Sequence, residues 1–142
     1  MFGLGKFKIK NIATGDCVHF MNFECTPHTG GPAIGGYTIE FVTDDMGVMN
    51  KWLNNGNDSF DGELIQIFDD GREECALELK GIFVSSITDN GDISIFCMWI
   101  VFNELSETGG VMRNTYREIV RQSLRNFNEQ LGADIFNPDL VL

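Results

Sequence analysis

Three tight turns constrain this chain more than anything else in it. Thr14-Gly15-Asp16, Asp69-Asp70-Gly71 and Asp89-Asn90-Gly91 set glycine beside aspartate or asparagine. Those residues reverse a chain because they tolerate positive φ or hydrogen-bond their own backbone. The segments between the turns read as strands. Lys6, Lys8 and Lys10 alternate with Phe7 and Ile9, the period of a strand with one wet face. A second strand spans about 17–26 and a third 37–42, with Tyr37, Ile39 and Phe41 on one side. Three more follow near residues 62–68, 73–84 and 92–104, a meander of antiparallel hairpins.

The period changes twice. Asp44 and Asp45 precede Met46, Val48, Met49, Trp52 and Leu53, which make a short amphipathic helix with acids at its positive end and Asn54-Asn55-Gly56 as its stop. Further on, Thr115 and Glu118 stand in capping-box spacing and predict a helix that Gly132 closes. Met112, Tyr116, Ile119, Val120, Leu124, Phe127 and Leu131 form its apolar stripe, while Arg113, Arg117, Arg121 and Arg125 recur every four residues on another face. Pro138 in the tail predicts an extended end. The expected fold is mainly β: a six-stranded antiparallel barrel or sandwich over residues 1–106 with one short inserted helix. An amphipathic helix and extended tail follow over 107–142.

The last strand, ISIFCMWIVF, is apolar on both faces. Such a strand is covered twice, by the core on one side and by a helix or another subunit on the other. Charge narrows the partners. Residues 1–106 carry six Lys/Arg against sixteen Asp/Glu, a balance of −10 out of the chain's −11. That surface repels nucleic acid and anionic membrane. No apolar run reaches the roughly 20 residues of a membrane helix, and the first ten residues lack a signal peptide's apolar region. Cys17, Cys25, Cys75 and Cys97 sit in strand-like sequence, as reduced core thiols do, which places assembly in the cytoplasm.

Four chemistries can be weighed. The glycines at 30, 31, 35 and 36 fit no phosphate-binding fingerprint, and the segment leads into a strand where an anion site needs a helix N-terminus. Cys17 with His19 and Cys25 with His28 offer zinc-type ligands, but eight extended residues hold the pairs about 26 Å apart. Neither histidine has a carboxylate at triad-like spacing, and Asp44-Asp45, Asp69-Asp70 and Glu73-Glu74 lie at turns or a helix start. Trp52 and Trp99 read as core. The arginine row either stays solvated or grips an acidic surface, its own body or a neighbour's. Hence no enzyme, cofactor or metal is expected.

Taken in order, the segments resemble the Hcp family, the ring-forming tube proteins of type VI secretion and relatives of phage tail tubes. HTGGPAIGGYTIEFV occupies the place of that family's strand–loop–strand, and DDMGVMNKWLNN that of its short helix. DGELIQIF, CALELKGIF and IVFNELSETGG resemble its later strands, so the likeness covers about residues 4–114. Gly31 stands where the family's loop has arginine before proline, and residues 115–142 extend past the usual end. The resemblance implies a barrel protomer in hexameric rings that stack into a hollow tube. It also implies sheath, spike and effector proteins as partners, and export through the apparatus without a classical signal peptide. His28, Thr29, Gly30, Gly31, Pro32, Gly35 and Gly36 are then a backbone-shaped contact loop, glycine permitting close approach and Pro32 stiffening it. Arg113, Arg117, Arg121 and Arg125 are a second candidate contact. The rival reading is a monomeric small barrel that binds an apolar molecule, with the last helix as lid or plug.

Overall fold

The structure is a computed structural model that describes residues 1–30, 33–55 and 58–140 of the 142. Gly31 and Pro32 of the expected contact loop lie outside the described residues. Six strands are present: β1 (Phe2–Asn11), β2 (Cys17–Gly30), β3 (Ala33–Val42), β4 (Phe60–Ile67), β5 (Glu73–Ile87) and β6 (Asp92–Phe102). They close into an antiparallel barrel in the order β1-β2-β3-β6-β5-β4, with β4 returning to β1. Two helices join them, α1 (Met46–Asn54) between β3 and β4 and α2 (Glu107–Leu131) after β6. The mainly β fold read from the turns is the one observed.

Alternation decides which side chains fill the barrel. Phe7 and Ile9 of β1, Val18, Phe20 and Phe23 of β2, and Ile39 and Phe41 of β3 all point inward and are buried. Their rings pack edge-on or stacked, with Phe7 4.9 Å from Phe23 and Phe20 4.3 Å from Phe41. A six-stranded barrel is narrower than the eight-stranded kind that side chains just fill. An apolar ligand inside it has to displace these rings.

Each end is closed by a helix. At the end where β2 and β4 begin, α1 inserts Met49 and Trp52 into the core, and the Trp52 ring lies 5.0 Å from Phe60. At the opposite end α2 buries Met112 and sets Tyr116 against Tyr37 (6.1 Å) and Phe102 (5.2 Å).

Three sequence expectations are corrected here. First, α2 begins at Glu107, a full two turns before Thr115. Ser106 is its cap, the Oγ accepting from the Gly109 N–H at 2.9 Å, while the Thr115 hydroxyl donates to the Val111 carbonyl in mid-helix. Gly109-Gly110 reads as a helix breaker in sequence, yet Gly109 is where the helix touches the barrel. A Cβ there would lie 2.2 Å from the Asn103 carbonyl oxygen and 2.6 Å from that of Ala76. Gly132 ends α2 as expected, at φ +66°.

Second, the glycine-rich stretch is mostly strand. Thr29 pairs with Ile34 and Gly30 with Ala33, so β2 and β3 form one hairpin in which Gly30, Gly35 and Gly36 are strand residues. Third, the tail does not run extended. Buried Asn128 accepts from the Ile135 and Phe136 N–H groups and donates to the Phe136 carbonyl, hooking the chain back until Phe136 lies 5.6 Å from Phe127. A 3-10 turn, Pro138–Leu140, follows. Amide geometry outweighs the proline, because a buried Asn satisfies three backbone groups at once.

Burial also protonates the interior. It pushes the Cys25 thiol up to about 12 and that of Cys75 up to about 11, and it raises Tyr37 and Cys97 as well. An unfolded chain sheds thiol protons from an ordinary value of 9.0, whereas the folded chain keeps them. Stability is therefore expected to fall steeply as pH rises from about 9 towards 12. Urea midpoints measured across that range check it; a flat profile would mean these groups are solvated.

Candidate assembly surface

β6 carries apolar residues on both faces, and only one face is fully buried. Ile93, Ile95, Cys97 and Ile100 enter the core, while Met98 and Trp99 each stand 65% exposed and Val101 is open beside them. Trp99, expected in the core, is thus on the outer wall; Trp52 is the tryptophan that is buried. The reason is a local break in alternation. Gly81 of β5 lies opposite Met98 at φ +67°, its missing side chain leaving the room that Met98 takes. There the consecutive residues Met98 and Trp99 are both exposed. α2, the one element long enough to cover this wall, goes to the end of the barrel instead. Among the described residues nothing covers Met98 and Trp99 on this face.

Next along the same wall is an aromatic row. The His28 ring stacks on Phe96 at 6.0 Å, and Phe96 packs on Phe83 of β5 at 5.0 Å. His28 Nε2 lies 2.5 Å from the Thr38 hydroxyl across the hairpin. Gly36, at φ +100°, lies under the Phe96 ring, whose Cζ would be 2.2 Å from a Cβ at that position. The close approach expected of this glycine is real, but the group approaching is the chain's own phenylalanine. Gly35 has only an ordinary 3.7 Å neighbour, the His28 carbonyl oxygen. Thr29 faces the flank of α2 near Ile119 and Phe127. Hence His28, Thr29, Gly35 and Gly36 are brought together as one structured hairpin that continues the β5–β6 wall.

The arginines divide. Arg113 binds the Glu104 carboxylate, and Arg117 Nη2 approaches the same oxygen at 3.7 Å. Two of the four therefore strap the start of α2 to the loop leaving β6. Arg121 pairs with Glu118 one turn back along the helix, and Arg125 borders the cleft beneath the hooked tail. Glu104 is the residue that sequence reasoning missed, and its place three residues before the helix was the available signal.

Other polar groups act as stitches. The β2–β3 ladder starts only at Glu24 opposite Glu40, leaving earlier β2 residues without β3 partners. His19 lies in that gap: its N–H donates to Asp45 Oδ2 at 2.7 Å, and its carbonyl accepts from the Thr43 hydroxyl at 2.6 Å. His19 Nδ1 is also 3.2 Å from the Asp45 carboxylate, a pair invisible in sequence because 26 residues separate them. Thr43 and Asp45 are already engaged with β2 backbone, which is a structural use of this cluster. Asp70 binds Arg72 and is held below the usual carboxylate range by that contact. β2 is one continuous strand, so Cys17 and Cys25 remain eight residues apart along it. Among the described residues no three His, Cys, Asp or Glu side chains converge to metal-binding distance, and no helix is long and apolar enough to cross a membrane.

Compared with known proteins, this chain matches no family model, no curated protein and no solved structure. Its own geometry is what bears on function, and the geometry is that of a wall. Met98, Trp99 and Val101 stand exposed on β6, with exposed Phe83 on β5 and half-buried Phe96 beside it, while Lys80 and Glu78 pair with Trp99 and Val101 across the ladder. Isolated surface hydrophobes are ordinary; several exposed together on one strand are less so. Exposed tryptophan and methionine at its centre are the residue types that dominate such contacts.

Proposed function

We propose that this protein is structural and works by joining copies of itself, as a ring- and tube-forming barrel of the Hcp kind. The exposed apolar residues of β6, Met98, Trp99 and Val101, with Phe83 of β5 nearby, are the observation that carries the reading. A water-filled space beside Trp99 and Met98 is costly at about 25 cal/mol for each Å² of apolar surface, and a neighbour removes that cost. The order of the strand, hairpin and helix segments between residues 4 and 114 adds the resemblance to type VI tube proteins. On this reading the rings are hexameric and stack, sheath, spike and effector proteins are the partners, and assembly takes place in the cytoplasm before export. It assigns the chain no catalytic step and no cofactor. The acidic surface fits a conduit that neither nucleic acid nor anionic membrane adheres to.

Trp99→Lys is the direct test. The side chain is open to solvent, so the fold and its melting temperature stay within about 0.5 kcal/mol of wild type. Rings visible by negative-stain microscopy in the wild type are expected to vanish in the variant. Rings that persist unchanged would remove the β5–β6 wall from the contact.

A further inference from the structure

A head-to-tail contact needs two different faces, and the barrel supplies a second. The outward residues of β1 are Phe2, Leu4, Lys6, Lys8 and Lys10, apolar at one end and basic at the other. Phe2 and Leu4 are 68% and 74% exposed, and Met21 stands open on β2 beside them, where it pairs with Lys6. In the closed order β1-β2-β3-β6-β5-β4, β1 is three strands from β6 whichever way one counts. The two walls therefore lie on different sides of the barrel.

Their heights also agree. Phe2 and Leu4 lie at the end of the barrel that α2 covers, since the Met1 carbonyl accepts from Cys25 N at 2.7 Å and β2 runs towards α2 from there. Met98, Trp99 and Val101 lie in the last half of β6, at that same end. At the opposite end β1 finishes with Lys8 and Lys10, while β6 starts from the turn bearing Asp89 and Asp92. Lys8 is taken by Glu73 at 2.7 Å. Lys6, Lys10, Asp89 and Asp92 make no ion pair among the described residues. Three of the six cations in residues 1–106 thus stand on one strand of a body whose balance is −10. An acidic copy of the same chain is the partner that this comb fits.

We infer that the β1 wall of one copy seats against the β6 wall of the next, Phe2, Leu4 and Met21 meeting Met98, Trp99 and Val101, with Lys10 facing Asp89 and Asp92. This deepens the self-assembly reading above and rests on it. Both patches lie at one end of the barrel, so the contact joins copies side by side with little shift along the barrel. A heterologous contact of that geometry closes into a ring when the rotation closes. A partner of another class, such as an anionic lipid surface, is opposed by the net charge.

Complementation tests the pairing. Leu4→Lys and Trp99→Lys are made separately in the full chain, with Phe2→Lys and Met98→Lys as a second pair, and circular dichroism verifies that each folds. Alone, every variant is expected to lose rings. Mixed, Trp99→Lys supplies an intact β1 wall and Leu4→Lys an intact β6 wall, so the mixture is expected to give a heterodimer and nothing larger by native mass spectrometry. Wild-type rings with Leu4→Lys assembling normally would overturn the pairing and point to a symmetric β6–β6 contact. Loss of rings in both variants with no heterodimer on mixing would overturn it too. A wild type that never assembles would instead sink the self-assembly reading beneath it.

Discussion

Gly109→Ala is expected to destabilise the protein by about 3–5 kcal/mol. Helix propensity alone argues the other way, since alanine is favoured over glycine by about 1 kcal/mol inside a helix. Packing outweighs it. The new Cβ would meet the Asn103 and Ala76 carbonyl oxygens at 2.2 and 2.6 Å and the capping Ser106 Oγ at 2.5 Å. Two of those atoms are backbone and cannot turn away, so the first turn of α2 must lift. Lifting it unseats Met112, which is buried, and loosens Tyr116 from Tyr37 and Phe102. Gly110→Ala is the control. Its nearest neighbour is the Glu104 carbonyl oxygen at 3.2 Å, a contact that relaxes with a small shift, and the propensity gain offsets it. Urea denaturation is expected to show a large fall in midpoint for the first variant and a change within about 1 kcal/mol for the second. Equal effects would mean that α2 is not pinned at this point.

Gly36→Ala follows at about 2–4 kcal/mol. Two causes act together: φ is +100°, where side-chain-bearing residues are strained, and the Cβ would overlap the Phe96 ring at 2.2 Å. A double-mutant cycle separates them. In a Phe96→Ala background the ring is gone and the overlap with it, so the cost of Gly36→Ala is expected to shrink towards the strain alone. Additive costs would show that the ring does not constrain this glycine. Because Phe96 joins His28 to Phe83 on the outer wall, Gly36→Ala is also expected to weaken assembly, and Gly35→Ala to leave it unchanged.

The strand count and the antiparallel order were legible because alternation and turn chemistry are local. Gly15, Gly71 and Gly91 do take positive φ at the turns they mark. The start of α2 was not legible. A glycine pair lowers helix propensity whatever lies beside it, and only the closed barrel reveals that Asn103 and Ala76 leave no room for a larger residue. Similarly, the tail's proline was visible and the Asn128 clamp was not, since it joins side chain to backbone seven and eight residues away in space that a helix end creates. For the candidate surface, the double apolar character of β6 pointed to a strand whose outer residues Met98, Trp99 and Val101 do stand exposed. It did not show Trp99 on the wall, because the alternation that placed it in the core breaks at Met98 and Trp99, beside Gly81 with its positive φ. The arginine row shows the same limit: spacing revealed a charged stripe, whereas Glu104 decides which two arginines face inward.

Native mass spectrometry of the unmodified chain probes the central claim most directly. With the sixfold rings that the Hcp resemblance implies, assembly by paired walls is expected to give a species at six times the 15.9 kDa protomer mass, dissociating stepwise at high salt as Lys10 and its acidic partners are screened. A single 15.9 kDa species at every concentration and ionic strength would contradict it.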